Sequence, residues 1–233
     1  QLLKKVDADT VSGKGDEGAW APHMKDEDAL EIVAKACEEV SEEFRVECRV
    51  GLDFAASTFW NSKENQYVYV QDKTRKDSGE QLDYVLSLIK KYSLVYVEDP
   101  FHEEDFKNFA ELAKKAKGCL ICGDDLFVTN KERLSRGLSL GSANAIIIKV
   151  NQVGTLTDAW ETTKVAKKAN YTPIMSHRSG ETADTKIAHL AVAFNCPIIK
   201  TGIVGGERAA KINELIRIEE VLGKKAKMST IQV

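Results

Sequence analysis

The sequence predicts an α/β protein of the TIM-type (β/α)8 barrel class, incomplete at its N-terminal side, and three observations predict it. First, short apolar runs recur, each closing on a charged or polar residue: RVGL before Asp53, LVYV before Glu98, CLICG before Asp124, AIII before Lys149, PIMS before His177 and PII before Lys200. Continuous runs of this length, rich in Val and Ile, mark parallel strands buried on both faces. Second, amphipathic segments of helical period separate the runs. Strand–helix alternation with right-handed crossovers sends every strand's C-terminal end to one side, which in a barrel is the chemical face. Third, no glycine-rich phosphate loop follows the first strand, as a doubly wound open sheet would want. Six strand–helix units are legible where a closed barrel needs eight.

Taken in order, Leu30, Val33, Ala34, Cys37 and Phe44 predict an early helix. Ser78 followed by Gln81 resembles a capping box, with Leu82, Val85, Leu86 and Ile89 on one face beyond it. Phe106, Phe109, Ala113 and Ala116 keep the same period, and Thr129 and Asn130 are cap candidates for a helix ending near Gly141. A further helix runs from about Thr155 to Lys168. The last, from about Glu207, stacks Ile212, Leu215, Ile216 and Leu222 before a stop at Gly223.

At 233 residues, with 43% hydrophobic and 30% charged, the chain can bury one large core. A net charge of −3 leaves no electrostatic footprint for nucleic acid or an anionic membrane. No apolar run approaches the roughly 20 residues of a bilayer span. The opening residues have neither an apolar signal segment nor an initiator methionine, which predicts a cytoplasmic chain that begins within a longer protein. The odd cysteine count suits reduced thiols. Cys119 and Cys122 form a C-x-x-C, but the surrounding CLICGDD reads as a buried strand, so core packing is expected and no second C-x-x-C completes a zinc site.

Asp53, Glu98 and Asp124 end three successive strands. Each alone could be a helix cap or ion-pair partner. Three converging carboxylates repel unless a cation sits between them, and an all-oxygen set suits Mg²⁺. Lys149 and Lys200 end strands in the same mouth, either snorkelling to solvent or, beside a divalent cation, serving as a base. His177, Arg178 and Ser179 close another strand just before an expected helix, where Arg, Ser and free backbone N–H groups would hold an anion or, equally, the serine would be an N-cap and the arginine an exposed side chain. Glu17 sits in the glycine loop GKGDEGAWAP, ordinarily a turn position.

Across nearly the whole chain the motifs GDEGAWAP, GLDFAAS, VEDPF, GDDLFVTN, IIIKVNQVGT, SHRSGET and IKTG resemble, in order and spacing, those of the enolase family. Residues 206–223 resemble that family's closing helix. The resemblance implies Mg²⁺-dependent interconversion of 2-phosphoglycerate and phosphoenolpyruvate, with two ions per complete site. It implies that Asp53, Glu98 and Asp124 hold the tighter ion, with Asp125 beside them. Lys149 would take the C2 proton, and Glu17 would act as general acid for the 3-hydroxyl. Arg178 and Ser179 would hold the phosphate, Lys200 the carboxylate end, and His177 would line the pocket. It further implies a homodimer, and an N-terminal α+β domain with a metal-binding serine loop, which this chain does not contain. Residues 1–233 would then be one partial barrel domain, poorly active alone. The alternative is an inactive barrel that only binds a partner, for which the Lys224, Lys225 and Lys227 cluster is the candidate feature.

Overall fold

The computed structural model describes residues 2–6 and 13–231. Its centre is one sheet of six parallel strands: β1 Gly51–Asp53, β2 Tyr96–Glu98, β3 Leu120–Gly123, β4 Ala145–Ile148, β5 Thr172–Ser176 and β6 Ile198–Lys200. They are hydrogen-bonded in sequential order, so β1 and β6 are the edges. Each strand falls on the apolar run that predicted it. The sheet is rolled. Laid flat, its edge strands would lie roughly 24 Å apart, five spacings of about 4.8 Å. Instead Lys200 Nζ on β6 donates to Asp53 Oδ2 on β1 at 2.7 Å.

Rolling separates the side chains by strand parity. Leu120, Cys122, Ala145, Ile147 and Ile174 form an inner cluster, with Tyr96 and Ile198 packed against it. Val97, Ile121, Ile146, Ile148 and Met175 point outward into the layer shared with the helices. The C-x-x-C is split by this alternation. Cys119 packs outside and Cys122 inside, both buried, and the thiols are free. Burial pushes the Cys119 thiol up to about 12 and Cys122 well above the ordinary range, as expected of packing residues.

Seven longer helices accompany the described strands: α1 Asp26–Phe44, α2 Ser78–Tyr92, α3 Phe106–Lys115, α4 Lys131–Leu140, α5 Leu156–Lys168, α6 Lys186–Ala193 and α7 Gly206–Leu222. The capping box of α2 begins one residue earlier than expected. Asp77 Oδ1 accepts from the Glu80 N–H and Glu80 Oε2 accepts from the Asp77 N–H, both at 2.9 Å, because Asp77 and Glu80 make the reciprocal pair that Ser78 and Gln81 do not. Asn130, one of the two cap candidates, caps α4; Thr155, the expected start of the next helix, caps α5; and Gly141 takes the left-handed φ of +67° at the end of α4.

Three expectations fail. The apolar stripe of α7 is not its buried face: Arg208 and Lys211 are buried, while Ile216 and Leu222 are exposed. In α1 only Leu30 is buried, and Val33 and Phe44 are exposed. No helix begins right after His177; α6 starts at Lys186, so the segment between is irregular. The antiparallel meander Trp60–Asn61, Gln66–Tyr69 and Thr74–Lys76 escapes the reading because its strands are short and half polar.

Candidate active site

The strand parity that lines the interior continues past the strand ends. Gly51 and Asp53, Tyr96 and Glu98, Cys122 and Asp124, Ile147 and Lys149, and Ile198 and Lys200 are each two residues apart, so the charged member follows its apolar neighbour into the barrel mouth. The sheet thus gathers three acids and two lysines on one face. Lys200 Nζ also donates to Glu98 Oε2 at 2.7 Å, and Tyr96 OH donates to the same oxygen. Lys149 Nζ donates to Asp124 Oδ2, and both side chains are largely shielded. Thr129, read as a cap candidate, instead accepts the Lys149 N–H at 2.8 Å and so fixes the end of β4.

Electrostatics here are costly. Burial first, then the Asp53 charge, pushes the Glu98 carboxyl up to about 7 against the pull of Lys200. Burial works to lower the Lys200 pKa, but Glu98 and Asp53 outweigh it and the ammonium is held above its ordinary value. Oxygens of Glu98, Asp99 and Asp124 lie within 4.8 Å of one another. Two like charges at that range repel by about 3 kcal/mol at an effective dielectric of roughly 20. Asp124 Oδ1 is buried with no hydrogen-bond partner. An orphaned carboxylate oxygen inside an all-oxygen acidic cluster fits a hard divalent cation.

Asp53 stands beside this cluster, with Oδ1 accepting the Ala55 N–H at 3.0 Å and Oδ2 the Lys200 ammonium. Asp99 is the acid that sequence reasoning missed. Its two oxygens accept the N–H groups of Asp124 (3.0 Å) and Asp125 (2.7 Å), tying the end of β2 to the end of β3. Its buried carboxyl is held well above the usual range, by burial first and then by Asp124 and Asp125. The doublet in VEDPF was its signal, masked because an apolar run that closes on a charge points to Glu98, the first acid after it.

A second group assembles across the mouth. Glu17 lies on a hairpin whose arms, Gly13–Lys14 and Trp20–Ala21, are paired antiparallel. Gly18 has φ +78°, and a Cβ there would meet Val204 O at 2.9 Å, so the hairpin seats closely on the segment after β6. Glu17 Oε2 lies 3.3 Å from His177 Nε2. The His177 N–H donates to Lys200 O at 3.0 Å, which joins the two groups. Arg178 is half-buried and donates to Asn151 Oδ1 at 3.2 Å, while Ser179 is exposed. The loop carrying them is held from behind by two residues not anticipated. Arg208 donates to Arg178 O (2.9 Å) and Ser179 O (2.8 Å), and Lys211 donates to Thr182 O. Their i, i+3 spacing was visible in GERAAKINE, but an apolar stripe nearby was taken as the buried face.

All 233 residues match the family described as enolase, C-terminal TIM barrel domain. The chain is 57% identical over 221 residues to an enolase of Methanothermobacter thermautotrophicus, covering 94% of this chain and 53% of that protein. Identity and coverage are the same for an enolase of Methanosphaera stadtmanae. An enolase of Pyrobaculum aerophilum is 49% identical over 233 residues, covering 100% of this chain and 55% of the relative. The chain therefore spans about half the length of the curated relatives it matches. With the rolled parallel sheet and its acidic mouth, these matches establish that the chain belongs to the enolase C-terminal barrel family.

Proposed function

We propose that this chain supplies the barrel site of a phosphopyruvate hydratase, which dehydrates 2-phosphoglycerate to phosphoenolpyruvate in glycolysis and runs in reverse in gluconeogenesis. The observation that carries the reading is the buried, unpartnered Asp124 Oδ1 beside Lys149, in a mouth whose other side holds the Glu17–His177 pair. Asp53, Glu98 and Asp124 would hold Mg²⁺, with Asp99 bracing the loop beneath them. When bound, Mg²⁺ supplies electrostatic stabilisation of the charge that builds on the substrate carboxylate.

The protein's own groups divide the remaining work. Lys149 Nζ, in its neutral form, accepts the C2 proton, and that C–H electron pair moves into the substrate. The C3–O bond then breaks, and Glu17 gives its proton to the departing hydroxyl, which leaves as water. Lys200 holds the carboxylate end. Arg178 and Ser179 bind the phosphate from the irregular loop after β5, as side-chain donors rather than as a helix N-terminus. His177 lines the pocket against Glu17. The family resemblance extends the proposal to a homodimer in the cytoplasm and to a second Mg²⁺. No helix among the described residues is long and apolar enough to cross a membrane.

The test is phosphoenolpyruvate absorbance from 2-phosphoglycerate, with intact mass measured on the same sample. Protein of the relatives' length is expected to turn over with Mg²⁺, to stop on chelation, and to lose at least about a thousandfold in Lys149→Ala, roughly 4 kcal/mol. The 233-residue chain alone is expected to show little or no turnover. Absence of product from the longer protein, or a rate untouched by Lys149→Ala, overturns the reading.

A further inference from the structure

Arg208 is 1% exposed, yet it lies on α7, outside the ring of residues that the reaction uses. Its guanidinium gathers four acceptors from two separate segments, the hairpin at Asp16 and the stretch from His177 to Ser179. One NH1 bond goes to Arg178 O at 2.9 Å; the NH2 bonds go to Ser179 O at 2.8 Å and Asp16 O at 3.1 Å; the fourth partner is His177 Nδ1. The backbone acceptors explain the burial. The ring nitrogen has a chemical consequence.

An arginine side chain offers only donors and keeps its proton in proteins. Nδ1 of His177 must therefore present a lone pair, and a neutral imidazole then carries its hydrogen on Nε2. Nε2 is the atom that faces Glu17 Oε2 at 3.3 Å. We propose that Arg208 is a positioning residue: by donating to Nδ1 it holds His177 in the Nε2–H tautomer, which turns the ring N–H toward Glu17 Oε2. The same side chain grips the backbone at Asp16, next to Glu17, so one guanidinium sets both the acid's carboxylate and the loop that bears it. The groups facing the ring are Glu17 from the hairpin, Glu181 from its own loop, Lys200 from β6 and Arg208 from α7. Burial is the largest influence on the ring and favours the neutral form, as the tautomer requires.

The tautomer stands independently of the proposed reaction; its use in orienting a general acid rests on that reading. The experiment is ¹⁵N–¹H long-range correlation on this chain labelled with ¹⁵N-histidine, the His177 ring assigned by its absence in His177→Gln. At pH 7.5 the ring is expected as Nε2–H, changing in Arg208→Met to a mixture in which Nδ1–H is populated, and returning in Arg208→Lys. A wild-type ring that is Nδ1–H or imidazolium overturns the proposal, as does an unchanged Nε2–H ring in folded Arg208→Met. Should Arg208→Met fail to fold, the wild-type spectrum and Arg208→Lys decide it. Turnover is read in protein of the relatives' length, where Arg208→Met is expected to lower kcat at least tenfold and to move the pH profile. An Nε2–H ring in an enzyme that makes no phosphoenolpyruvate leaves the tautomer standing and removes the proposed function.

Discussion

The middle of the sheet and its two edges are built to different standards. Residues of β3 and β4 are buried at every position, whereas β1 reads exposed, half-buried, exposed and β6 is half-buried throughout. The helices follow the same division. The central α2, α3, α4 and α5 are capped by side chains of Asp77, Asp105, Asn130 and Thr155. The flanking α1, α6 and α7 have no side-chain cap, and α1 and α7 leave Phe44 and Val221 exposed. Between the edges no backbone ladder runs among the described residues; Lys200 reaches across to Asp53 instead. The lesson is that local order and core burial are complete in the centre, while the two ends of the site's charge network sit on the least supported strands.

The comparison breaks first at the inner cluster. Ile147→Ala, at a position with 0% exposure, is expected to cost about 3 kcal/mol in urea unfolding, and Ile198→Ala on the edge less than about 1.5. Equal costs would mean that the edges are packed as firmly as the centre. Next is the charge bridge. Lys200→Met leaves Asp53 and Glu98 facing each other, at an expected cost of about 2 kcal/mol, between the values for exposed and buried pairs because Asp53 is 39% exposed. Added Mg²⁺ is expected to recover part of that loss, read as a rise in midpoint temperature. If the variant is neutral, the edges are not held by this bridge.

Smaller still is the cap contrast. Asp77→Ala is expected to destabilise by about 1 kcal/mol, and Thr185→Ala, at a cap position without a side-chain bond, by under about 0.5. The smallest effect is a pH slope. Burial lowers the His177 pKa from the usual 6.5, so between 6.5 and the folded value the unfolded chain binds the extra proton. Stability is therefore expected to fall as pH drops from 6.5 through the folded pKa. His177→Gln should flatten that part of the profile in acid titration of the unfolding midpoint; an unchanged slope would assign it to other groups.

How far the sequence could be read follows the same line between centre and edge. Strand runs with a terminal charge placed all six strands and the charged groups Asp53, Glu98, Asp124, Lys149 and Lys200, because strand parity and strand ends are local properties. Helix faces were legible only where a layer covers them. Phe106 and Phe109 on α3 are buried as their spacing predicts, whereas Val33 on α1 and Ile216 on α7 have the same kind of spacing and remain exposed. Periodicity reports which face could be buried, and only a partner surface decides whether it is.

By itself, then, the sequence determined the parallel strand–helix alternation, the acids and lysines at the strand ends, and the family. What only the tertiary structure decided is which distant groups meet. The pairings Asp99 with the Asp124 and Asp125 amides, Arg208 with His177 and with Asp16 O, and Glu17 with His177 join residues 25 to 192 positions apart. The physical reason is that a buried polar group must find its partner wherever rolling the sheet brings one within hydrogen-bond reach, and no local pattern in the chain encodes that distance.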